Sequence, residues 1–226
     1  KPFVKHFPKS NIVRMYHNDM TLSILEDKET FIYLKYKTFD MFIQGGILFF
    51  NERHIKVMNI RPIENGFAMD YHGEGKYYQP FGEYQGTSDF WKIDRAKRKT
   101  TDILAVDAVI EITTTQKGFK VNLKAAGIEK VSIRLDMAIN KEAFVKGDGY
   151  AIRANGGGIL LPESGNVKAD LGTCGVKIGP ARNDTYITEG LFGSAPLAMD
   201  KYHIFFNYMT PFEHSFTIEP TSKFEE

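Results

Sequence analysis

Residues 106–138 read VDAVIEITTTQKGFKVNLKAAGIEKVSIRLDMA, and hydrophobic side chains recur in them with a period of two. Alternation of apolar and polar residues is typical of a β-strand that buries one face and leaves the other in water. Residues 116–118, Gln-Lys-Gly, join the first two runs as a short glycine-containing hairpin loop. The stretch therefore predicts an antiparallel meander of three strands. Its inward-facing residues are Ile110, Ile112, Phe119, Val121, Leu123, Val131, Ile133, Leu135 and Met137.

The same pattern extends from this stretch towards both ends of the chain. Short β-type runs are separated by turn residues such as Asn65 and Gly66, or the glycines at 156–158. A spacing of about 8–12 residues per strand is typical of sandwiches and barrels. We therefore predict an all-β fold, an antiparallel, supersandwich-like β-sandwich of roughly a dozen or more short strands. The additional runs are 12–16, 21–25, 31–37, 41–44, 55–60, 67–72, 150–154, 158–161, 167–170, 175–178, 202–208 and 214–219.

One segment departs from the period of two. Ser88 is placed to cap a short helix over residues 89–97, in which Trp91 and Arg95 lie one turn apart. The sequence therefore predicts one short helix near residue 90.

The length of the chain allows either one large β domain or two small ones. We interpret residues 1–226 as a single β-sandwich domain with an elaborated loop at 73–101. A boundary between two domains at 82–101 is the alternative. Because the chain begins at Lys1 rather than Met, we expect it to be a processed product or a piece of a longer protein.

Charge and cysteine content exclude several classes of protein. The 29 Lys and Arg residues against 28 Asp and Glu leave a formal net charge of +1, which provides no overall field for nucleic acid or an anionic membrane. No nucleic-acid module is recognisable, so we predict no nucleic-acid partner. The apolar runs fall far short of the roughly 20 residues of a spanning helix, so we predict no membrane span. The single cysteine, Cys174, excludes an intrachain disulfide and is predicted to be a buried structural thiol.

Aromatic residues are densest between residues 71 and 91. The flat C–H faces of sugars stack on aromatic rings, and this segment also carries polar groups for sugar hydroxyls. The basic residues that follow, among them Arg95 and Lys99, suit the acid groups of a glycan, or form a solvated face. The alternative for the rings is that they fill the core beneath a long loop. The candidate ligand-binding residues are Tyr77, Tyr78, Tyr84, Trp91 and Arg95, together with Asp70 and His72.

Asp70, His72 and Glu74 alternate along a predicted strand, so their side chains are expected to share one face. Such a set suits general acid–base work, metal binding or sugar contact, and a polar face turned to solvent produces the same pattern. The sequence contains no spacing typical of a zinc hydrolase, a nucleophile elbow or a phosphate-binding loop. We therefore assign no catalytic residue, no metal ligand and no cofactor.

Three segments resemble the C-terminal β-sandwich of heparinase II/III-like polysaccharide lyases. Residues 31–37 followed by Gly45 and Gly46 are similar to its opening strands, residues 156–168 to a late hairpin, and residues 205–220 to its last strand pair. The resemblance implies a carbohydrate-associated protein with an extracytoplasmic location, periplasmic or secreted.

The chain also departs from that family. The lyases carry catalytic Asn, Tyr and His residues on a helical toroid, and this sequence has no helical region long enough to supply one. Some members bind a structural zinc ion through His and Asp ligands. Here Asp70, His72 and the upstream His54 have ligand chemistry without a spacing that matches the family. The resemblance therefore implies an accessory domain or a catalytically empty relative.

From these patterns we predict a non-catalytic, carbohydrate-associated domain that binds or positions a polysaccharide or oligosaccharide, with an acidic glycan preferred. Other domains of a larger enzyme are the second expected class of partner. Two alternatives stay open. One is a small sandwich-fold polysaccharide lyase or sugar epimerase that uses His72 with Asp70 or Glu74, and the other is a structural or protein-interaction domain.

Overall fold

The structure, a computed structural model, describes residues 3–188 and 197–221. Within these ranges the chain is almost entirely β, and eighteen strands form two sheets. The first eight strands are β1 (Phe3–Phe7), β2 (Ile12–His17), β3 (Met20–Leu25), β4 (Thr30–Tyr36), β5 (Phe39–Phe49), β6 (Glu52–His54), β7 (Met58–Ile63) and β8 (Gly66–Tyr78). The other ten are β9 (Thr100–Thr114), β10 (Phe119–Gly127), β11 (Ser132–Asn140), β12 (Phe144–Gly147), β13 (Tyr150–Arg153), β14 (Ile159–Leu160), β15 (Val167–Asp170), β16 (Gly175–Gly179), β17 (Lys201–Met209) and β18 (Phe212–Thr221).

The two sheets enclose one hydrophobic core. The first sheet has the order β1-β2-β3-β4-β5-β11-β17-β14, with β6 paired to β5, and the second has the order β13-β12-β15-β16-β18-β10-β9-β8-β7. Paired strands are antiparallel except for the short parallel pair of β14 and β17. Because side chains alternate along each strand, one face of each sheet supplies the core, as Ile43 does from β5 and Leu123 from β10. The predicted all-β, antiparallel sandwich is thus confirmed.

The predicted three-strand meander is correct only for its first two strands. Strands β9 and β10 pair through the predicted hairpin, with Phe119 opposite Thr114. Strand β10 then pairs with β18, whereas β11 lies in the first sheet between β5 and β17. The chain leaves the second sheet at Gly127, which has a φ of 110° and where a Cβ would collide with the carbonyl oxygen of Ala105. Hydrophobic periodicity does not detect this crossing, because the alternation is the same whichever sheet the next strand joins.

The helical element near residue 90 is not the continuous helix that the sequence predicts. Two 3-10 turns, Phe90–Lys92 and Arg95–Lys97, stand in its place. The carboxylates of Asp89 and Asp94 each accept a hydrogen bond from the backbone N–H two residues on, so Asp89 caps the first turn instead of Ser88. An isolated helix of this length is marginal in water, and a local aspartate bond competes with it. The described part of the chain holds no helix long and apolar enough to span a bilayer.

Strands β8 and β9 form a long ribbon at one side of the second sheet. They pair along the whole of β8, with Tyr78 opposite Thr100 at the far end. Strand β7 pairs with β8 only as far as Asp70. On that side, residues 71–78 of β8 are therefore a sheet edge with which no described strand pairs.

The far end of this ribbon extends past the core. Tyr77 and Tyr78 are both exposed, although adjacent strand residues point to opposite faces. Both side chains are open to solvent here, whereas Tyr71, earlier on the same strand, is buried. The ribbon thus presents the irregular segment 79–99, with its aromatic and basic residues, away from the core.

Candidate functional site

Six aromatic side chains are exposed in the last two residues of β8, in the 79–99 segment and just after β5, and we call this set the aromatic surface. Trp91 is 80% exposed and Tyr84 is 76% exposed, so neither ring packs in the core. Because large rings gain much free energy from burial, a group of exposed rings is a feature of binding surfaces. The aromatic surface consists of Phe50, Tyr77, Tyr78, Tyr84, Phe90 and Trp91.

Contacts order two pairs of rings within the aromatic surface. Phe50 packs edge-on against Tyr77 with 5.2 Å between ring centroids, and Phe90 packs in the same way against Trp91 at 5.5 Å. The guanidinium of Arg95 lies 5.0 Å from the centroid of Phe90 and 5.6 Å from that of Trp91. Cation–π contacts of this kind hold rings in place. Trp91 is therefore supported by its neighbours and still leaves most of its surface open to solvent.

The basic stretch beside the rings is only partly neutralised. Two of its lysines form ion pairs with aspartates three residues earlier in the chain. Arg95 and Lys99 have no carboxylate partner among the described residues. The guanidinium of Arg98 stacks on Tyr78 at 4.7 Å. Unpaired cations beside exposed rings suit a ligand that carries acid groups.

The outward face of β8 carries the predicted acid–base residues. Asp70, His72 and Glu74 share this face, as predicted, and alternate with buried residues. His72 Nδ1 lies 2.6 Å from Asp107 Oδ1, and His72 Nε2 lies 3.4 Å from Glu74 Oε1. Asp70 instead accepts a hydrogen bond of 2.6 Å from Arg61. The sequence does not reveal Asp107, because it faces His72 only through the register of β8 and β9.

The surroundings of His72 favour its charged form. The hydrogen bond with Asp107, and then that with Glu74, raises the pKa of His72 against a smaller opposing effect of burial. The geometry is that of an exposed ion pair between His72 and two carboxylates. The lyase or epimerase alternative stays a prediction.

A cavity of about 610 Å³ opens beside this face of β8. Asp70, Tyr71 and His72 line it from β8, and Arg53 and His54 line it from β6. The cavity thus collects the three residues whose metal-ligand chemistry stands out in the sequence. In residues 3–188 and 197–221, however, no three His, Cys, Asp or Glu side chains form a group that could hold a metal ion.

A second polar group lies buried on the outer face of the first sheet, and the sequence does not predict it. Its four most buried members are Arg134, Asp136, His203 and Asn207, each at most 4% exposed. Asp136 accepts a hydrogen bond of 2.7 Å from Gln44, and its other carboxylate oxygen lies 2.8 Å from His203 Nδ1. Arg134 donates a hydrogen bond of 2.8 Å to the side-chain oxygen of Asn207. We call this group the buried polar network.

The period of two predicts a wet face for Arg134 and Asp136, and this prediction is wrong. Thr185, Ile187 and Ala198, which precede β17 in the chain, lie on that face and supply partners. Arg134 donates a hydrogen bond of 2.6 Å to the carbonyl oxygen of Ile187, and His203 Nε2 lies 3.1 Å from the carbonyl oxygen of Ala198. No signal within β11 indicates this cover, because it comes from residues about fifty positions later in the chain.

The buried polar network leads us to expect a pH-dependent stability. Burial lowers the pKa of His203, but the hydrogen bond and charge of Asp136, with smaller contributions from the Ala198 carbonyl and Asp200, outweigh burial and raise the pKa above 6.5. A pKa that is raised on folding stabilises the protein fully below its unfolded value, and the stabilisation is lost as the pH rises through the folded value. His203 therefore contributes most below about pH 6.5.

We expect the difference in unfolding free energy between wild type and His203→Gln to shrink as the pH rises from about 6 to about 9. Urea denaturation of both proteins at each pH measures it. Taking the difference cancels the pH-dependent contributions of two other histidines. These are His72, whose pKa is also raised, and His214, whose pKa is lowered by burial. A difference that stays constant or grows with pH would contradict the assignment of a charged His203.

Comparison of the chain with protein-family models, with curated proteins and with solved structures found no match in any of the three. The resemblance to heparinase II/III-like lyases therefore stays a prediction. The features of the structure that bear on function are the aromatic surface, the outward face of β8 that carries His72, and the cavity between β6 and β8.

Proposed function

We propose that this chain is a non-catalytic, carbohydrate-associated domain that binds a polysaccharide or oligosaccharide at the aromatic surface. The exposure of Trp91 is the main support, because Phe90 and Arg95 hold the ring while most of it stays in water. A sugar that stacks on the indole removes apolar surface of both partners from water. Tyr77 and Tyr78 offer further exposed rings at the end of the ribbon.

Hydrogen-bonding groups in the same segment as Tyr84, Phe90 and Trp91 support a glycan over an apolar protein surface. An open cavity of about 340 Å³ lies within the 79–99 segment, and Gln79, Glu83, Gln85 and Lys99 are among its lining residues. These amide, carboxylate and ammonium groups both donate and accept hydrogen bonds, as sugar hydroxyls do. Mixed rings and polar groups match the two kinds of surface that a sugar presents.

The unpaired cations support an acidic glycan as the preferred ligand. Arg95 and Lys99 are exposed and lie in the same segment as the rings. Their attraction for carboxylate or sulfate groups would make binding weaker at high salt. The resemblance to polysaccharide lyases supports the same ligand class, an extracytoplasmic location and an accessory role beside other domains.

A titration of the fluorescence of Trp91, the only tryptophan of the chain, tests this function. We expect a saturable shift with acidic polysaccharides and a smaller shift with neutral ones. Trp91→Ala and Tyr78→Ala should each weaken binding, measured by calorimetry, by about tenfold or more, as central aromatic residues do at interfaces. The melting temperature should stay unchanged in Trp91→Ala, because the ring is exposed.

Tyr33→Ala is the matched control, since Tyr33 is an exposed tyrosine on β4 of the first sheet. It should bind as wild type does. Equal binding by wild type and Trp91→Ala would overturn the proposal, as would an unshifted fluorescence with every polysaccharide. The second result would favour the protein-interaction alternative. Turnover of a polysaccharide that His72→Ala abolishes would favour the lyase or epimerase alternative.

A further inference from the structure

The second sheet has an open edge along residues 71–78 of β8. These residues pair with β9 on one side and with no described strand on the other. Proteins usually protect such an edge with a proline, a bulge, a covering loop or an isolated charge. This stretch contains no proline, and no described loop forms a backbone hydrogen bond with residues 72–76. The edge is therefore open to another strand.

The backbone groups that face this edge belong to the even-numbered residues. In an antiparallel ladder, residues that bond to one neighbouring strand alternate with residues that point to the other side. The N–H of Thr114 donates to the carbonyl of Asn65, which precedes β8, and the register continues unbroken as far as Tyr77. Odd-numbered residues of β8 thus bond to β9. Glu74 and Lys76 leave backbone donors and acceptors on the open edge, where a second strand can pair with them.

The charges on this edge are complementary to a second copy of the same edge. Glu74 and Lys76 are both exposed on the outward face, and the 3.9 Å between their charged groups leaves each able to take a closer partner. A two-fold axis at Gly75 would set Glu74 of each copy directly opposite Lys76 of the other. Opposite charges in such cross-strand positions stabilise a sheet, and like charges destabilise it.

Other registers are excluded by charge or by space. An axis at Glu74 would set the two Glu74 side chains opposite each other, and an axis at Lys76 would do the same with the lysines. An axis at Gly73 would bring Lys76 to Asp70, where β7 already pairs. The register about Gly75 is the one that satisfies both conditions.

The turn between β5 and β6 places an exposed ring at the same point. Phe50 lies against Gly75, where a Cβ would collide with the ring, and packs edge-on against Tyr77. Its φ of 51° is a left-handed conformation that is strained for an aromatic residue. Strain of this kind is concentrated at functional sites, and exposed apolar groups mark interfaces. With Gly75 on the axis, the two Phe50 rings would meet and leave water.

We infer that two copies of this chain form a homodimer in which residues 72–78 of β8 pair antiparallel about a two-fold axis at Gly75. The second sheets of the two copies then become one continuous sheet. Glu74 and Lys76 contribute both backbone hydrogen bonds and ion pairs, and Phe50 contributes apolar contact. The inference is independent of the proposed function, because Trp91 lies outside the paired strand.

Sedimentation velocity of the chain from low to high micromolar concentration measures this association. We expect wild type to be in reversible monomer–dimer equilibrium, because a short edge forms a small interface. Glu74→Lys and Lys76→Glu should each raise the dissociation constant of the dimer by about tenfold or more, since each sets like charges opposite one another on both sides of the axis. Phe50→Ala should also raise it, because the ring no longer contributes.

An equal mixture of the two charge variants is the decisive sample. Glu74→Lys and Lys76→Glu should associate with each other at least as tightly as wild type does with itself. In the mixed dimer both lysines of one copy face both glutamates of the other, so the charges are complementary again. Damage to the fold of either variant would not be reversed by mixing.

Matched controls and a measurement on wild type complete the test. Lys124 and Glu213 form an exposed cross-strand ion pair on β10 and β18, which both have neighbours on either side. Lys124→Glu and Glu213→Lys should therefore leave the dissociation constant unchanged. In wild type, amide exchange followed by NMR should slow at Glu74 and Lys76 at concentrations where the dimer predominates.

Three results would overturn the inference. One is a wild type that stays monomeric at high micromolar concentration. Another is a dimer that Glu74→Lys and Lys76→Glu leave unchanged, because it would then use a different surface. The third is a mixture of these two variants that stays monomeric, because complementary charges about Gly75 should restore the pairing.

Discussion

Asp136→Asn is expected to lower the free energy of unfolding by about 3–5 kcal/mol at about pH 6. Asp136 is 3% exposed, pairs with the fully buried His203 and accepts a hydrogen bond from Gln44. The substitution removes the negative charge that keeps the proton on His203, and burial then lowers the pKa of the imidazole. Breaking a buried ion pair by removing one partner is costly because the remaining group has to stay charged without water or a partner, or lose its charge. Urea denaturation followed by circular dichroism measures the change.

The control for this prediction is a second aspartate–histidine pair in the same protein. Asp107 and His72 are closer together, at 2.6 Å, but their side chains are 63% and 55% exposed. Asp107→Asn should therefore change the unfolding free energy by less than about 1 kcal/mol, as for other surface pairs. Equal losses in the two variants would mean that solvent exposure does not set the strength of these pairs, and would contradict the description of the buried polar network.

The second large effect is expected from Phe119→Ala, which should destabilise the fold by about 3–5 kcal/mol. Phe119 is fully buried at the start of β10, and its ring packs edge-on against His17 of the first sheet at 6.3 Å. The truncation opens a cavity between the two sheets, and regular strands around it have little freedom to close the gap. Thermal and urea unfolding measure the loss.

Trp91→Ala is the contrast to Phe119→Ala and separates two interpretations of the aromatic segment. If the rings near residue 91 formed a core beneath a loop, this truncation would also cost about 3–5 kcal/mol. With Trp91 80% exposed, we expect a change within about 0.5 kcal/mol. A large loss of stability in Trp91→Ala would show that the ring is buried in solution, and the proposed stacking surface would then fail.

Hydrophobic periodicity accounts for most of the strands that the structure contains. A strand with one buried face has to alternate, so runs such as 119–123 and 131–137 are recognisable in isolation. The apolar positions in both runs do face the core. Periodicity fails for sheet membership, because β11 alternates in the same way whether it pairs with β10 or, as it does, with β5 and β17.

In the candidate site, too, the sequence predicts the features that depend on one strand and misses those that depend on strand pairing or packing. The common face of Asp70, His72 and Glu74 follows from alternation along one strand, and the sequence predicts it correctly. The partner of His72 does not follow, since Asp107 reaches it through strand register. Nor does the exposure of Trp91, because an aromatic cluster has the same composition whether it fills a core or lies on a surface.

The amino-acid sequence alone determines the fold class, the strands and the aromatic and basic character of the 79–99 segment, because these depend on residues close in sequence. Burial and pairing depended on segments far apart in sequence, as in the contact between Asp136 and His203, 67 positions apart. Burial makes the loss of either partner costly, and residues outside the two strands, such as Ala198, contribute to that burial. The cavity beside Tyr71 likewise exists only where β6 meets the free edge of β8. Alternation along a strand sets the direction of each side chain, but only packing from elsewhere sets whether that side chain meets water, a partner or a ligand.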